Sequence, residues 1–129
     1  MSLQKSIAVS AQRGAWIRIV TGGLQDLNGY NRRSIAALLE GSAGELIRPR
    51  LRVLAVSESL AEMVHAKCIV ADGKRGYLGS ANLSVSGLEK NFELGVTLDE
   101  ADAFTLDQLI AHFESNGGLE DRTQLFGSK

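Results

Sequence analysis

"VHAKCIVADGKRGYLGSAN", Val64 to Asn82, decides the reading of this chain. A β-branched apolar run with a histidine and a lysine two residues apart leads into Asp72-Gly73-Lys74-Arg75, the chemistry of a tight turn. An apolar return and Gly79-Ser80-x-Asn82 follow. The pattern predicts a strand over His65–Ala71, a hairpin turn, and a returning strand over Gly76–Gly79. Side chains alternate along a strand, so His65 and Lys67 then share one face, about 7 Å apart. That spacing suits one phosphate, with an imidazole for its phosphorus and an ammonium for its oxygens. The hydroxyl of Ser80, the amide of Asn82 and nearby backbone N–H groups suit the same oxyanion. Each piece alone reads more blandly. A histidine in an apolar strand is ordinarily a satisfied structural residue, Asp72-Gly73 is a turn, and Gly79-Ser80 is a loop.

Outward from this stretch, Leu3, Ile7, Ala8 and Ala11 recur at helical spacing and predict a helix over residues 3–12, stopped by Gly14. "AWIRIV", Ala15–Val20, reads as a strand, and Asn31–Glu40 as a helix burying Ile35, Leu38 and Leu39, with Gly41 and Gly44 as stop signals. "ELIRPRLRVLAV", Glu45–Val56, reads as extended, with Pro49 marking a sheet edge or bulge. Phe92–Leu98 predicts a further strand. Asp99 caps a last helix whose apolar side is Phe104, Leu106, Leu109, Ile110 and Phe113. Helices and strands mix and the hairpin comes late, so the class is α/β, or α+β.

Length and composition bound the function. The 129 residues, 44% apolar, suit one domain with a real core, and no apolar run reaches the ~18 residues of a membrane span. One cysteine, Cys68, permits no internal disulfide and no cysteine cluster for zinc, which with the lack of a secretory pattern suggests a cytoplasmic protein. Net charge is −1, so no global field draws the chain to nucleic acid. Residues 1–64 carry eight Lys/Arg against five Asp/Glu, and residues 65–129 carry six against ten, so polyanion binding needs a local patch. Arg48, Arg50 and Arg52 alternate and would share a strand face, either as a groove for a phosphate backbone or as a solvated edge. Arg32, Arg33, Lys74, Arg75 and Lys90 are further patch candidates. Aromatics are too few for a stacking platform, and Trp16 reads as core or interface.

Taken together, His65-x-Lys67, four residues, Asp72, six residues and Gly79-Ser80-x-Asn82 match the H-x-K-x4-D-x6-G-S-x-N signature, so the chain resembles the phospholipase D superfamily. Glu93 in "NFELGV" stands where that family places a supporting glutamate, and "AQRGAWIRIVTGG" is similar to its helix-Gly-strand unit. The resemblance implies a mixed sheet flanked by helices, one half-domain over residues 1–129, lacking the family's first strand-helix unit and so a C-terminal half or fragment. It implies a metal-free, cofactor-free phosphodiesterase working through a phosphohistidine. His65 is then nucleophile or acid/base, Lys67 and Asn82 bind phosphate, Ser80 supports them, and Glu93 fixes a histidine tautomer. Asp72 belongs to the catalytic motif by the resemblance, although in a hairpin turn its job is structural. The route needs two histidines. His112 has no motif around it and reads as an ordinary helix-face residue, so a homodimer or a second half is expected to supply the other. A nuclease-like activity on nucleic acid is favoured. A lipid substrate would require an exposed apolar surface, and the predicted helices need theirs for packing. A phospholipid hydrolase or transferase is the alternative, and a non-catalytic assembly half-domain is another.

Overall fold

The computed structural model describes residues 3–22, 24, 28–56, 67–79 and 95–127. Within them a six-stranded sheet is flanked by helices on both faces, the mixed α/β architecture that the sequence predicts. Helix α1 spans Leu3–Gln12, α2 Tyr30–Leu38, α3 Gly41–Ile47 and α4 Glu100–Ser115. The strands are β1 Ile17–Thr21, β2 Leu51–Val56, β3 Lys67–Ala71, β4 Arg75–Gly79, β5 Gly95–Leu98 and β6 Leu119–Asp121. Their spatial order is β5-β4-β3-β1-β2-β6, with β1 and β2 parallel and every other neighbouring pair antiparallel.

Strand alternation sorts the core into two layers. Ile17 and Ile19 of β1, Leu51, Val53 and Ala55 of β2, and Ile69 of β3 pack with Ile7, Ala11, Ile35 and Ile47 of α1, α2 and α3. Val20, Leu54, Val56, Cys68 and Val70 point to the other face and pack with Ile110 of α4 and Leu119. Central strands with apolar residues on both faces are what a sheet covered on both sides requires.

The β3–β4 hairpin turns on Asp72 (φ 54°) and Gly73 (φ 66°), the pair of positive φ angles a type I′ turn needs and the reason for Asp-Gly there. Lys74 N donates to Ala71 O at 3.0 Å and closes the turn. Asp99 caps α4 as the sequence predicts, its Oδ1 accepting from Asp102 N at 2.8 Å, with Glu100 and Asp102 favourably placed in the first turn.

Three expectations need correction. Glu45–Arg50 is not extended. Glu45 to Ile47 belong to α3, and Arg48–Arg50 form a 3-10 turn in which Pro49 stands in the first turn, where its missing N–H costs nothing. The strand begins only at Leu51. Of the two glycines expected to stop α2, Gly41 (φ 72°) does break the chain direction, but Gly44 lies inside α3. A Cβ on Gly44 would stand 2.0 Å from Leu39 O, so it is glycine because α3 starts pressed against the end of α2. The apolar side of α4 is also narrower than expected. Ala103 and Ile110 are buried and Leu106 is partly buried, but Phe104, Leu109 and Phe113 are about half exposed, at 55%, 48% and 46%.

Candidate active site

Strand direction gathers the motif segments. β1, β2 and β4 end, and β3, β5 and β6 begin, at one edge of the sheet. There Lys67 pairs with Gly79, and Gly79 pairs with Gly95. On the other side Cys68 pairs with Val20, so the end of β1 lies beside the start of β3. His65 stands two residues before Lys67, Ser80 directly after Gly79 and Asn82 three residues after it, and Glu93 two residues before Gly95. His65, Ser80, Asn82 and Glu93 themselves lie outside the described residues, as does the Lys67 side chain. The described strand ends next to all five nevertheless converge on one edge, with neighbouring strands about 4.8 Å apart.

Asp72 is not at that edge. It follows the far end of β3, about 17 Å from Lys67 by the strand rise. Its backbone N donates to Trp16 O at 2.9 Å and its Oδ1 accepts from Trp16 N at 2.7 Å. The side chain thus extends the β1–β3 ladder by one more bond and fixes where β1 begins.

His112 is exposed on α4, with its ring edge-on to Phe113 at a centroid distance of 5.6 Å. The arginine triplet does not share a face. Arg48 Nη1 donates to Phe126 O at 2.6 Å. Arg50 donates to Gly14 O at 3.2 Å and lies 4.6 Å over the Trp16 ring, and Arg52 binds Glu114 and Asp121. Arg48 and Arg50 stand in a 3-10 turn and only Arg52 in a strand, so the shared face that the sequence offers as a groove or a solvated edge does not form.

A charge network instead lies under α4. Arg18 and Arg52 pair in register on β1 and β2, and α4 supplies Asp107 to the first and Glu114 to the second. Burial, then the neighbouring Arg52 charge, pulls the Arg18 guanidinium below its ordinary value. The hydrogen bond to Glu114 raises Arg52 despite its partial burial. Burial works to raise Asp121, but hydrogen bonds from Thr123 Oγ1 and N and from Arg52 outweigh it and hold its carboxyl below the usual range. These groups are mutually satisfied and positioned to clamp α4 and β6 to the sheet, a structural use of charge. Burial pushes the Cys68 thiol up to about 11, against a smaller opposing pull from Arg18, so it is a core residue and no nucleophile. Among the described residues no three His, Cys, Asp or Glu side chains gather as metal ligands.

Two features of the motif edge had no signal in the sequence. Thr21, closing β1, is fully buried. Asn31 of α2 donates to Gly22 O at 3.0 Å, while its Oδ1 is buried without a hydrogen-bond partner among the described residues. Nothing in "GYNRR" distinguishes that asparagine from a solvated one, because only the packing of α2 against the end of β1 buries it.

A family model described as "Cardiolipin synthase, PLD-like domain" matches residues 1–116, so the chain belongs to this phospholipase D-like family. Function in the superfamily is of the phosphodiesterase type, and its members typically bring two such halves together. No curated protein matches the chain. No helix among the described residues is long and apolar enough to cross a membrane.

Proposed function

We propose that the protein is a nuclease-like phosphodiesterase that cleaves by way of a phosphohistidine, at a site shared between two copies. The observation that supports it is the register of β3, β4 and β5, which brings the strand ends adjoining His65, Lys67, Ser80, Asn82 and Glu93 to one edge. An imidazole nitrogen of His65 attacks phosphorus, and the P–O bond to the leaving group breaks as that oxygen takes a proton from His65 of a second copy. The second imidazole, now neutral, removes a proton from water. The hydroxide displaces His65 from phosphorus, and the P–N bond breaks. Lys67, Asn82 and Ser80 offset the charge on the phosphoryl oxygens, and Glu93 holds one tautomer of the attacking or assisting imidazole. Asp72 takes a positioning role, because it sits at the far end of β3 and ties β1 to it.

A phospholipid substrate is the second reading, favoured by one observation. Phe104, Leu109 and Phe113 leave α4 with exposed apolar surface that the sequence had assigned to packing. Incubating the protein in EDTA with labelled DNA, labelled RNA and phosphatidylglycerol vesicles separates the readings by product. Cleavage of a nucleic acid, lost in H65A, is the expected result. Full activity in H65A would remove the mechanism, and turnover of lipid alone would replace the substrate.

A further inference from the structure

We infer that a basic groove along the β2–β6 margin of the sheet carries the nucleic-acid backbone to the motif edge, which deepens the nuclease reading and rests on it. The groove is two adjoining pockets, of about 500 and 330 Å³, which share Arg32 and Leu125. The first opens at Ala55 and Val56, where β2 reaches the motif edge, and holds Arg32 and Arg122 with Glu120. The second continues along α2 to Arg33 and Arg48, at the opposite end of β2. The six residues of β2 set the length of this track at about 20 Å.

Among the described residues, four guanidiniums against one carboxylate line the groove, in a chain whose net charge is −1. Contacts hold Arg32, Arg48 and Arg122 in place. Arg32 donates to Leu24 O at 3.1 Å and lies 5.8 Å over the Phe126 ring. Arg48 donates to Phe126 O, and Arg122 to Glu120 at 2.8 Å. A guanidinium has five N–H donors, so these bonds position the groups and leave donors for phosphate oxygens. A lipid headgroup offers its charge at one place, whereas this groove spreads its charge along a line. The chemistry that fits is a chain of phosphates.

The test is binding of a labelled single-stranded oligonucleotide to H65A, followed by fluorescence anisotropy from about 50 to about 200 mM salt. Four phosphate contacts give a log–log salt slope near −3, and each contact removed lowers it by about 0.7. Arg33→Gln with Arg122→Gln is expected to reduce the slope by about 1.4 and weaken binding about tenfold or more at low salt. Arg33→Lys with Arg122→Lys, which keeps both charges, is expected to restore the slope and guards against misfolding. An unchanged slope in the Gln pair overturns the groove. So does binding to phosphatidylglycerol vesicles, with no oligonucleotide binding, that depends on the same two arginines. Wild-type protein that binds with the expected slope yet cleaves no phosphodiester sinks the catalytic reading alone and leaves the groove standing.

Discussion

Replacing Asp72 separates a structural aspartate from a chemical one. Two physical terms meet at this residue, and three substitutions divide them. The carboxylate accepts a charge-assisted hydrogen bond from Trp16 N, worth about 1 kcal/mol after discounting the 1.5–3 of such bonds for its exposure. The backbone stands at φ 54°, which costs an alanine about 1 kcal/mol relative to residues that tolerate the left-handed region. Asp72→Asn keeps an acceptor and the tolerance, and is expected to lose about 0.5 kcal/mol. Asp72→Gly loses only the acceptor, about 1 kcal/mol. Asp72→Ala loses both, about 2 kcal/mol, or about 6–8 °C in Tm for a domain of this size. Urea unfolding followed by circular dichroism reads the order Asn, Gly, Ala directly. Turnover per folded molecule should stay within a few-fold of wild type in the Asn variant, because the carboxyl lies about 17 Å from Lys67 along β3. An Asn variant of normal stability but with activity lowered a thousandfold would refute the structural role. An Ala variant as stable as wild type would show that the Trp16 clasp contributes nothing.

Gly44→Ala should destabilise by about 2–3 kcal/mol or prevent folding. Its Cβ would meet backbone atoms of Leu39 that have no rotamer to move into, and a thermal melt within 2 °C of wild type would contradict the α2–α3 contact. The Cys68 thiol gives an alkaline signature. Its pKa rises from 9.0 to about 11 in the fold, so between those values the unfolded chain ionises first and binds fewer protons. Stability then falls as pH rises, by about 2–3 kcal/mol in all. Comparing unfolding free energies of wild type and Cys68→Ala from pH 8 to 11 isolates this loss. Parallel curves for the two proteins would mean the thiol is not desolvated.

Most of the succession of elements along the chain was legible because the strong signals are local. The Asp-Gly turn, the β-branched runs and the Asp99 cap each act through neighbours in sequence. The failures share a cause in tertiary contacts. "GSAGELIRPR" contains two glycines and a proline, all weak in helices, yet α3 forms because Gly44 lets it approach Leu39 and Ile47 is buried. The breadth of apolar residues on α4 misled for the converse reason. Five apolar positions wrap around the helix, and the sheet buries only the stripe at Ala103, Leu106 and Ile110. The motif spacing was readable as chemistry. That Asp72 and Lys67 lie at opposite ends of one short strand follows directly from the turn between β3 and β4. The sequence marks Arg32, Arg33 and Arg48 as patch candidates but not their meeting with Arg122, because α2, a 3-10 turn and the segment after β6 come together only in the folded chain.

The corrections bear unevenly on the substrate. Dispersal of Arg48, Arg50 and Arg52 removes their shared face as a phosphate track, and the exposed side chains of α4 give the lipid alternative the apolar surface it requires. The folded chain supplies a different track in exchange. Arg48, withdrawn from the strand face, joins Arg32, Arg33 and Arg122 on the other margin. The exposed apolar residues do not all form one stripe. Leu109 and Phe113 are a helical turn apart, about 40° around the axis, while Phe104 lies about 140° from Leu109 at 100° per residue. A membrane-facing helix needs one continuous apolar face, and on α4 the exposed Thr105, Gln108 and His112 lie between Phe104 and Leu109 around the axis. Leu109 and Phe113 make a patch of two side chains, too small to seat a helix in lipid. A four-guanidinium line ending at the motif edge is the longer-range feature, and it favours the proposed polymer over the headgroup.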